Sequence, residues 1–187
     1  MIIRAAALRD AANVARLHIE SWRSAYRGFL PDAFLDGPIF EERRKLWMSR
    51  MRAPAADRQL VLKAAADQGL LGFACVLLDA DPSWGALLDN LHVQPALKGQ
   101  GIGRRLFDRS REWVDVAAPG AGVHLTVIEA NVDARRFYDR LAGTIVERKI
   151  HEVIPGTRLA VLRYRWEPRQ KSSPTFVDGP PSNSPRS

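Results

Sequence analysis

Apolar residues along this chain follow two different spacings, and together these predict a fold that mixes strands and helices. Short β-rich runs predict strands at residues 2–4, 59–63, 70–78, 86–93, 123–130, 144–153 and 158–166. Stretches with helical spacing predict helices from residue 10, over about 41–52, from the glycine-rich loop near residue 100 to about 116, and from residue 131. The predicted order is therefore β-α-α-β-β-β-α-β-α-β-β.

Two local signals predict where helices begin and end. Asp10 precedes a stretch in which Val14, Leu17 and Ser21 share one face, and its carboxylate favours a helix start by capping or by meeting the dipole. Gly143 follows the last helical stretch, which predicts a glycine just past the helix end. Both residues are expected to act through the helix termini.

Composition indicates one folded domain followed by a tail. The chain has 187 residues, 46% of them hydrophobic, which is enough for a single core over residues 1–167. Residues 168–187 are rich in proline and serine and are expected to be disordered. The longest apolar stretches have strand length and the N-terminus does not resemble a signal peptide, so we expect a cytoplasmic protein with no membrane contact.

The net charge of +7 raises the question of nucleic-acid binding. Basic residues are mixed with acidic ones, as in residues 41–45, and no basic run is interleaved with aromatic residues. We therefore expect no nucleic-acid partner. An anionic cofactor explains the charge more simply.

A glycine-rich loop between a predicted strand and a predicted helix indicates where that anion binds. Gly99, Gly101 and Gly103 allow the backbone to approach a ligand, and the first turn of the following helix offers unpaired N–H groups. Arg104 occupies the position of the third glycine of the dinucleotide fingerprint, and the nucleoside-triphosphate loop does not occur in the chain. The expected ligand is a phosphate or pyrophosphate.

Three segments carry a resemblance to a known family. They are the glycine loop at residues 98–103, the N-x-x-A-x-x-F-Y pattern at residues 131–138, and the W-x-x-A-Y-x-G-x-L-P pattern at residues 22–31. Over roughly residues 2–166 the chain resembles the GNAT superfamily of acetyl-CoA-dependent N-acetyltransferases. The resemblance implies a mixed, largely antiparallel seven-stranded sheet, with helices on both faces and a fourth strand that splays from the fifth.

The resemblance also implies the site residues. Tyr138 would be the general acid that protonates the departing thiolate, and Trp22 and Tyr26 would contact the acceptor. Contacts to acetyl-CoA are implied for three places: the strand before the loop, the loop with the first residues of its helix, and the N-x-x-A-x-x-F-Y segment. The residues are Leu91, His92, Val93, Lys98, Gly99, Gln100, Gly101, Ile102, Gly103, Arg104, Asn131, Ala134 and Tyr138. No metal is expected.

The general base does not carry over from the family. Many relatives have a glutamate four residues before the position of Leu91, where this chain has Leu87. Asp89 is the nearest strand carboxylate and is predicted, from strict alternation, to share a strand face with Leu87 and Leu91. Glu20, His92 and a chain of water molecules remain alternatives.

The resulting expectation is an N-acetyltransferase that transfers acetyl directly from acetyl-CoA to a primary amine. Cys75 is the single cysteine and lies in an apolar strand, which argues against an acyl-enzyme. A different acyl donor and a non-catalytic acyl-CoA-binding or sensor module are the alternatives. The acceptor amine and the oligomeric state stay open, with a homodimer among the candidates.

Overall fold

A seven-stranded sheet with the strand order β1-β2-β3-β4-β5-β7-β6 forms the centre of the structure. This computed structural model describes residues 1–37, 39–52 and 58–169, so residues 170–187 of the predicted tail lie outside the described residues. The strands are β1 (Ile2–Ala5), β2 (Gln59–Ala66), β3 (Gly69–Asp81), β4 (Gly85–Val93), β5 (Val123–Ile128), β6 (Thr144–Ile154) and β7 (Thr157–Trp166).

Five helices accompany the sheet within the described residues: α1 (Ala11–Tyr26), α2 (Asp32–Leu35), α3 (Ile39–Arg52), α4 (Ile102–Ala117) and α5 (Val132–Arg140). The predicted element order is confirmed, with the single-turn helix α2 as an addition. The mixed α/β class and the largely antiparallel sheet are confirmed as well, because β4 and β5 form the one parallel pair among the described strands. No described helix has both the length and the apolar character needed to cross a membrane.

Helices cover both faces of the sheet. Leu106 and Phe107 of α4 pack in the larger core, together with Leu88 of β4 and Tyr164 of β7. On the opposite face, side chains of α1 and α3 pack against β2 and β3 in a second core made of Ala11, Val14, Ala15, Leu17, Trp47, Val61, Phe73 and Cys75. The predicted burial of Cys75 is confirmed, because its exposure is 0%.

The two predicted helix-end signals act differently from expectation. Asp10 makes no side-chain cap on α1; its carboxylate instead accepts hydrogen bonds from the Ala7 amide (2.9 Å) and from Lys63 Nζ (2.5 Å). The left-handed residue after α5 is Ala142, with φ +57°. Gly143 is small for another reason, since a Cβ there would lie 2.5 Å from the ring of Trp166. Asp10 thus precedes α1 without capping it, and Gly143 donates its amide to the Tyr138 carbonyl (3.0 Å) at the end of α5 while leaving room for Trp166.

Strands β4 and β5 touch only where β4 begins. Their register contains two pairs, Ala86 with Val123 and Leu87 with His124, whereas β4 stays paired with β3 as far as Val93. The Ala86 amide also donates to the Gly122 carbonyl over 2.9 Å. Beyond this point the two strands diverge, which confirms the predicted splay.

Gly85 makes this short contact sterically feasible, and we expect its replacement to destabilise the fold. Gly85 has φ +90°, and a Cβ would lie 2.5 Å from the Gly122 carbonyl oxygen. Gly69 has φ +110° but nothing within 4 Å of a Cβ, so Gly69→Ala measures backbone strain alone. We expect Gly69→Ala to cost about 1 kcal/mol and Gly85→Ala about 3 kcal/mol in chemical denaturation. Equal losses would show that the close contact is unimportant.

Candidate active site

The open edge of β4 presents backbone donors to the gap between β4 and β5. The Ala86 amide points toward β5, while the Gln94 amide points the other way, to the Leu71 carbonyl at 2.9 Å. Because N–H groups alternate along a strand, Val93 and Leu91 direct theirs into the gap and His92 directs its own toward β3. Two residues of the predicted Leu91–Val93 set therefore offer free amides to a ligand in the gap.

A β-bulge at Asp89 produces this arrangement. Cys75 of β3 pairs with Asn90 and Val76 pairs with Leu88, which leaves Asp89 as the extra residue. A bulge shifts the alternation by one residue. Leu91 consequently packs in the larger core near α4, whereas Asp89 lies against α3 on the opposite face. The prediction that Asp89 and Leu91 share a face is wrong.

The glycine loop leads directly into α4, as predicted. Gly99 and Gly101 have φ +82° and +78°, and a Cβ at either position would meet nothing within 4 Å. Gly101 is the N-cap of α4, so the amides of Ile102, Gly103 and Arg104 have no acceptor within the helix. Lys98 and Gln100 are exposed on the same loop, and Arg104 is largely exposed in the first helical turn. The loop is thus a candidate anion site, with unpaired backbone amides and cationic flanks.

Gly103 serves packing instead of ligand approach. Its φ is not positive, and a Cβ would lie 3.2 Å from the ring of Phe137 and 3.6 Å from a methyl group of Val93. The ring of Phe137, in the second half of α5, thereby packs against the start of α4. The sequence predicted that Gly103 lets the backbone approach a ligand. The structure shows a close approach to Phe137.

The N-terminus of α5 is capped by Asn131. Its Oδ1 accepts from the Ala134 amide over 3.1 Å, so the side-chain NH₂ is the part of Asn131 that remains available to a ligand. Ala134 packs against the larger core. Residues 131–138 therefore form a capped helix, and Tyr138 lies one turn after Ala134.

Tyr138 packs against the aromatic rings of the larger core. Its ring centroid is 5.6 Å from Tyr164 and 5.9 Å from Trp166. Burial raises the pKa of Tyr138 above its ordinary value, and the nearby Tyr26 and Tyr164 hydroxyls raise that pKa further. Its hydroxyl donates to no described residue, so it remains protonated and available to an incoming acceptor atom.

Aromatic side chains form a wall on α1. Trp22 contacts Tyr26 edge-on at 5.5 Å and Phe34 at 6.0 Å. Both Trp22 and Tyr26 also belong to a small apolar cluster with Leu30, Leu35 and Ile154. The two predicted acceptor-contacting residues therefore lie side by side on α1.

Asp89, the predicted base, is ion-paired with Arg50 of α3. Arg50 Nη1 lies 2.5 Å from Asp89 Oδ2, and this carboxylate helps to raise the pKa of Arg50 against the opposing effect of burial. Asn90 Nδ2 also donates to the same oxygen. Glu20, the alternative, is exposed on α1. Of the two carboxylates considered, Asp89 thus lies on β4 and is held there by the cation of Arg50.

Two histidines form a neutral pair beneath the wall. The rings of His18 and His92 are 4.7 Å apart, and His92 Nδ1 shares a hydrogen bond of 2.8 Å with Ser21 Oγ. Burial, with a smaller contribution from Lys98, lowers the pKa of His92 to about 3. Burial also lowers the pKa of His18 well below its ordinary value. Both rings are therefore neutral at neutral pH, each with a single N–H.

Sequence reasoning missed four residues of this site: His18, Ser21, Arg43 and Arg50. Their helical spacing was a usable signal, because positions 18 and 21, like positions 43 and 50, fall on one face of a helix. No motif marks them, however. Among the described residues no group of three or more histidine, cysteine or carboxylate side chains is arranged to hold a metal ion.

Comparison with known proteins matches residues 19–143 to the acetyltransferase (GNAT) family. A curated protein of Bacillus subtilis (strain 168), the uncharacterized N-acetyltransferase YuaI, is 25% identical over 167 residues. The aligned region covers 88% of this chain and 91% of that protein.

Solved structures share the fold. The PaiA N-acetyltransferase of Thermoplasma acidophilum, solved in complex with coenzyme A, has a TM-score of 0.69 at 20% identity, covering 88% of this chain and 98% of its own. The protein yncA of Salmonella typhimurium, solved with its cofactor acetyl-CoA, has a TM-score of 0.65 at 17% identity, covering 94% and 98%. At these identities the match describes the fold alone.

The buried histidines predict a loss of stability in mild acid. An unfolded histidine has a pKa of about 6.5, whereas burial lowers the pKa of His92 to about 3 and that of His124 to about 4. Between these values the unfolded chain binds more protons, so the free energy of unfolding falls as pH decreases from about 6.5 to about 4, by at most about 1.4 kcal/mol per pH unit for each ring. Denaturation at several pH values measures this slope.

The matched variants are His92→Gln and His151→Gln. Removing His92 should flatten the dependence of stability on pH, since one proton-excluding ring is lost. His151 is exposed on β6, and its removal should leave the slope unchanged. An equal slope in His92→Gln and wild type would contradict the assignment.

Proposed function

We propose, from the premise that this chain belongs to the acetyltransferase (GNAT) family, that it transfers an acetyl group from acetyl-coenzyme A directly to a primary amine of a small-molecule or peptide acceptor. The observation that carries this proposal is the gap between β4 and β5. Strand amides of β4 face it, the glycine loop and α4 follow β4 directly, and Tyr138 packs on the core that β4 and β5 share. Two fold neighbours were solved with coenzyme A or acetyl-CoA, which supports the same cosubstrate here.

The glycine loop would hold the pyrophosphate. The amides that open α4 supply donors and the positive end of the helix dipole, and the empty space at Gly99 and Gly101 leaves room for phosphate oxygens. Lys98 and Arg104 add charge on either side. The Asn131 NH₂ group, which the cap leaves unused, would meet the arm of the cofactor on the α5 side.

The open edge of β4 would hold and polarise the thioester. When bound, acetyl-CoA supplies a thioester carbonyl whose oxygen becomes negatively charged as the amine attacks. The amides of Leu91 and Val93 are rigid donors because β3 fixes β4 from its other side. Such preorganised donors stabilise developing charge without reorganising during the reaction.

Tyr138 would then donate its proton to the departing thiolate. Its raised pKa keeps the hydroxyl protonated, and the absence of a hydrogen bond to any described residue leaves the proton free for the sulfur. A charge-assisted bond to a thiolate is stronger than a neutral one. The hydroxyl therefore acts when the carbon–sulfur bond breaks.

Asp89 is proposed as the group that removes the amine proton, by way of water. Arg50 holds its carboxylate in one orientation on the α3 side of β4, opposite the side of Leu91. His92 is a poorer base because burial lowers its pKa to about 3. Direct transfer fits Cys75 as well, since burial raises the pKa of its thiol to about 12 and leaves no thiolate for an acyl-enzyme.

A non-catalytic acyl-CoA-binding module is the second candidate. The observation that favours it is the absence of a strand glutamate at Leu87 together with the ion pair that occupies Asp89. Turnover of acetyl-CoA with a panel of amines separates the two functions. Cofactor binding without turnover of any amine would support the module.

Gly101→Val tests the loop. A side chain at Gly101 meets open space in the protein but would occupy the position of the phosphates, so we expect cofactor affinity to fall by 10-fold or more, on the order of 1.4 kcal/mol. Gly120→Val is the matched control, because Gly120 has φ +83° and equally open space at the other end of α4. Both variants should lose similar stability, and calorimetry should show reduced affinity in Gly101→Val alone. Wild-type affinity in a folded Gly101→Val would refute the loop assignment.

Tyr138→Phe tests the proton donor. We expect kcat to fall by roughly 10²-fold or more, with cofactor affinity nearly unchanged, because a general acid acts only in the transition state. Tyr164→Phe is the control: it removes a hydroxyl from the same ring cluster, one that donates to Asp139 over 2.7 Å. That change should cost stability and leave kcat within a few-fold. An unchanged kcat in Tyr138→Phe, with chemistry rate-limiting, would assign Tyr138 to packing.

A further inference from the structure

Arg43 of α3 is a cation with no counterion among the described residues. Its guanidinium lies over the ring of Trp22, with Cζ 4.8 Å from the ring centroid. Its Nε is shielded from solvent and has no hydrogen-bond partner there. Burial lowers the pKa of Arg43, and the nearest acids, Glu42 and Asp89, form no ion pair with it.

Two other arginines of α3, unlike Arg43, form ion pairs. Arg44, the next residue, pairs with Glu41 at 2.9 Å on the exposed side of the helix. Arg50, two turns later on the face of Arg43, pairs with Asp89. A partly buried charge without a partner is costly and is seldom kept for stability alone.

A second unsatisfied donor lies in the same cluster. His18 Nδ1 accepts from Trp47 Nε1 over 3.1 Å, so the neutral ring carries its hydrogen on Nε2. That Nε2 is buried and has no partner among the described residues, and His18 is 2% exposed. Its ring contacts Trp22 edge-on at 5.1 Å. The cluster around Trp22 therefore offers donors and lacks an acceptor.

The cluster lies on the acceptor side of the proposed reaction. Trp22 carries Arg43 on one side and contacts Tyr26 on another, and the His18 ring beside Trp22 contacts His92 of β4 at 4.7 Å. A molecule lying along this wall would have one end at the thioester and the other near the guanidinium. The attacking amine and the group near Arg43 would thus be the two ends of one small molecule.

We propose that the acceptor is a small amine that also carries an anionic group, a carboxylate or a phosphonate, and that Arg43 binds this group. The inference rests on the proposed function, whose acceptor it specifies. An anion would satisfy both the charge of Arg43 and its unpaired Nε, and a planar guanidinium matches a carboxylate or a phosphonate better than an ammonium does. The aromatic wall supplies apolar contact between the two ends.

The test compares matched acceptors in wild type and two variants. Each acceptor acid, for example an aromatic amino acid or an aminoalkylphosphonate, is assayed beside the amine that lacks its anionic group and, for the carboxylates, beside the amide. Acetylation and thermal stabilisation in the presence of coenzyme A are both measured. The variants are Arg43→Gln and Arg44→Gln, which remove the same charge from adjacent positions of one helix.

We expect wild type to prefer acids over their matched amines by about 10- to 100-fold in kcat/KM, the size of a charge-assisted hydrogen bond. Arg43→Gln should remove this preference by lowering kcat/KM for the acids alone, with coenzyme A affinity and Tm maintained. Arg44→Gln should behave as wild type. Carboxylates and phosphonates are told apart by which series shows the preference.

Three results would overturn the inference: equal turnover of acids and amines, no acid that is either acetylated or stabilising, or a preference that survives in Arg43→Gln. None of these results decides the proposed function. That function fails only when no amine of any kind is acetylated, a result that is read from the same panel with coenzyme A affinity as the fold control. A destabilised Arg43→Gln would instead assign the cation to packing on Trp22.

Discussion

The rest of the structure depends on a sheet that opens between two neighbouring strands. Unpaired backbone amides inside a fold carry a free-energy cost, so each side of the opening must be held from elsewhere. β5 is paired with β7 along its whole length, and β4 is paired with β3 up to Val93. The two halves meet at Ala86 and Leu87 alone. The gap is therefore a rigid feature of two well-paired half-sheets, which is what a site built from backbone donors requires.

The bulge at Asp89 decides what each side of β4 presents. Without it, the alternation set by Ala86 would turn the amides of Leu91 and Val93 toward β3 and present those of Asn90 and His92 to the gap instead. With it, those amides face the gap and the Asp89 carboxylate is sent to α3, where Arg50 meets it. One extra residue thus separates the polarising donors from the proposed proton acceptor by the thickness of the strand.

The sequence predicted the element order and the loop because each has a local signal, apolar periodicity for the one and glycine spacing for the other. The splay was predicted only through the family resemblance that the motifs carry. The errors concern residues whose roles are set by distant neighbours. Asp10 binds Lys63 of β2 instead of capping α1, and Gly143 yields space to Trp166. The face of Leu91 depends on a register shift against β3 that no pattern within β4 reveals. Local chemistry was predictable, and contacts across the sheet were not.

The same distinction separates the two halves of the proposed site. The cofactor half consists of backbone amides on β4 and around the glycine loop, and backbone geometry is encoded by glycines and helix caps that recur with fixed spacing. The acceptor half consists of side chains on α1 and α3, such as Trp22 and Arg43, which meet only through tertiary packing. Side chains there can change without altering the sheet that positions the thioester. A chain of this family therefore shows its chemistry in motifs, whereas its acceptor must be inferred from the unsatisfied groups of the opposite wall.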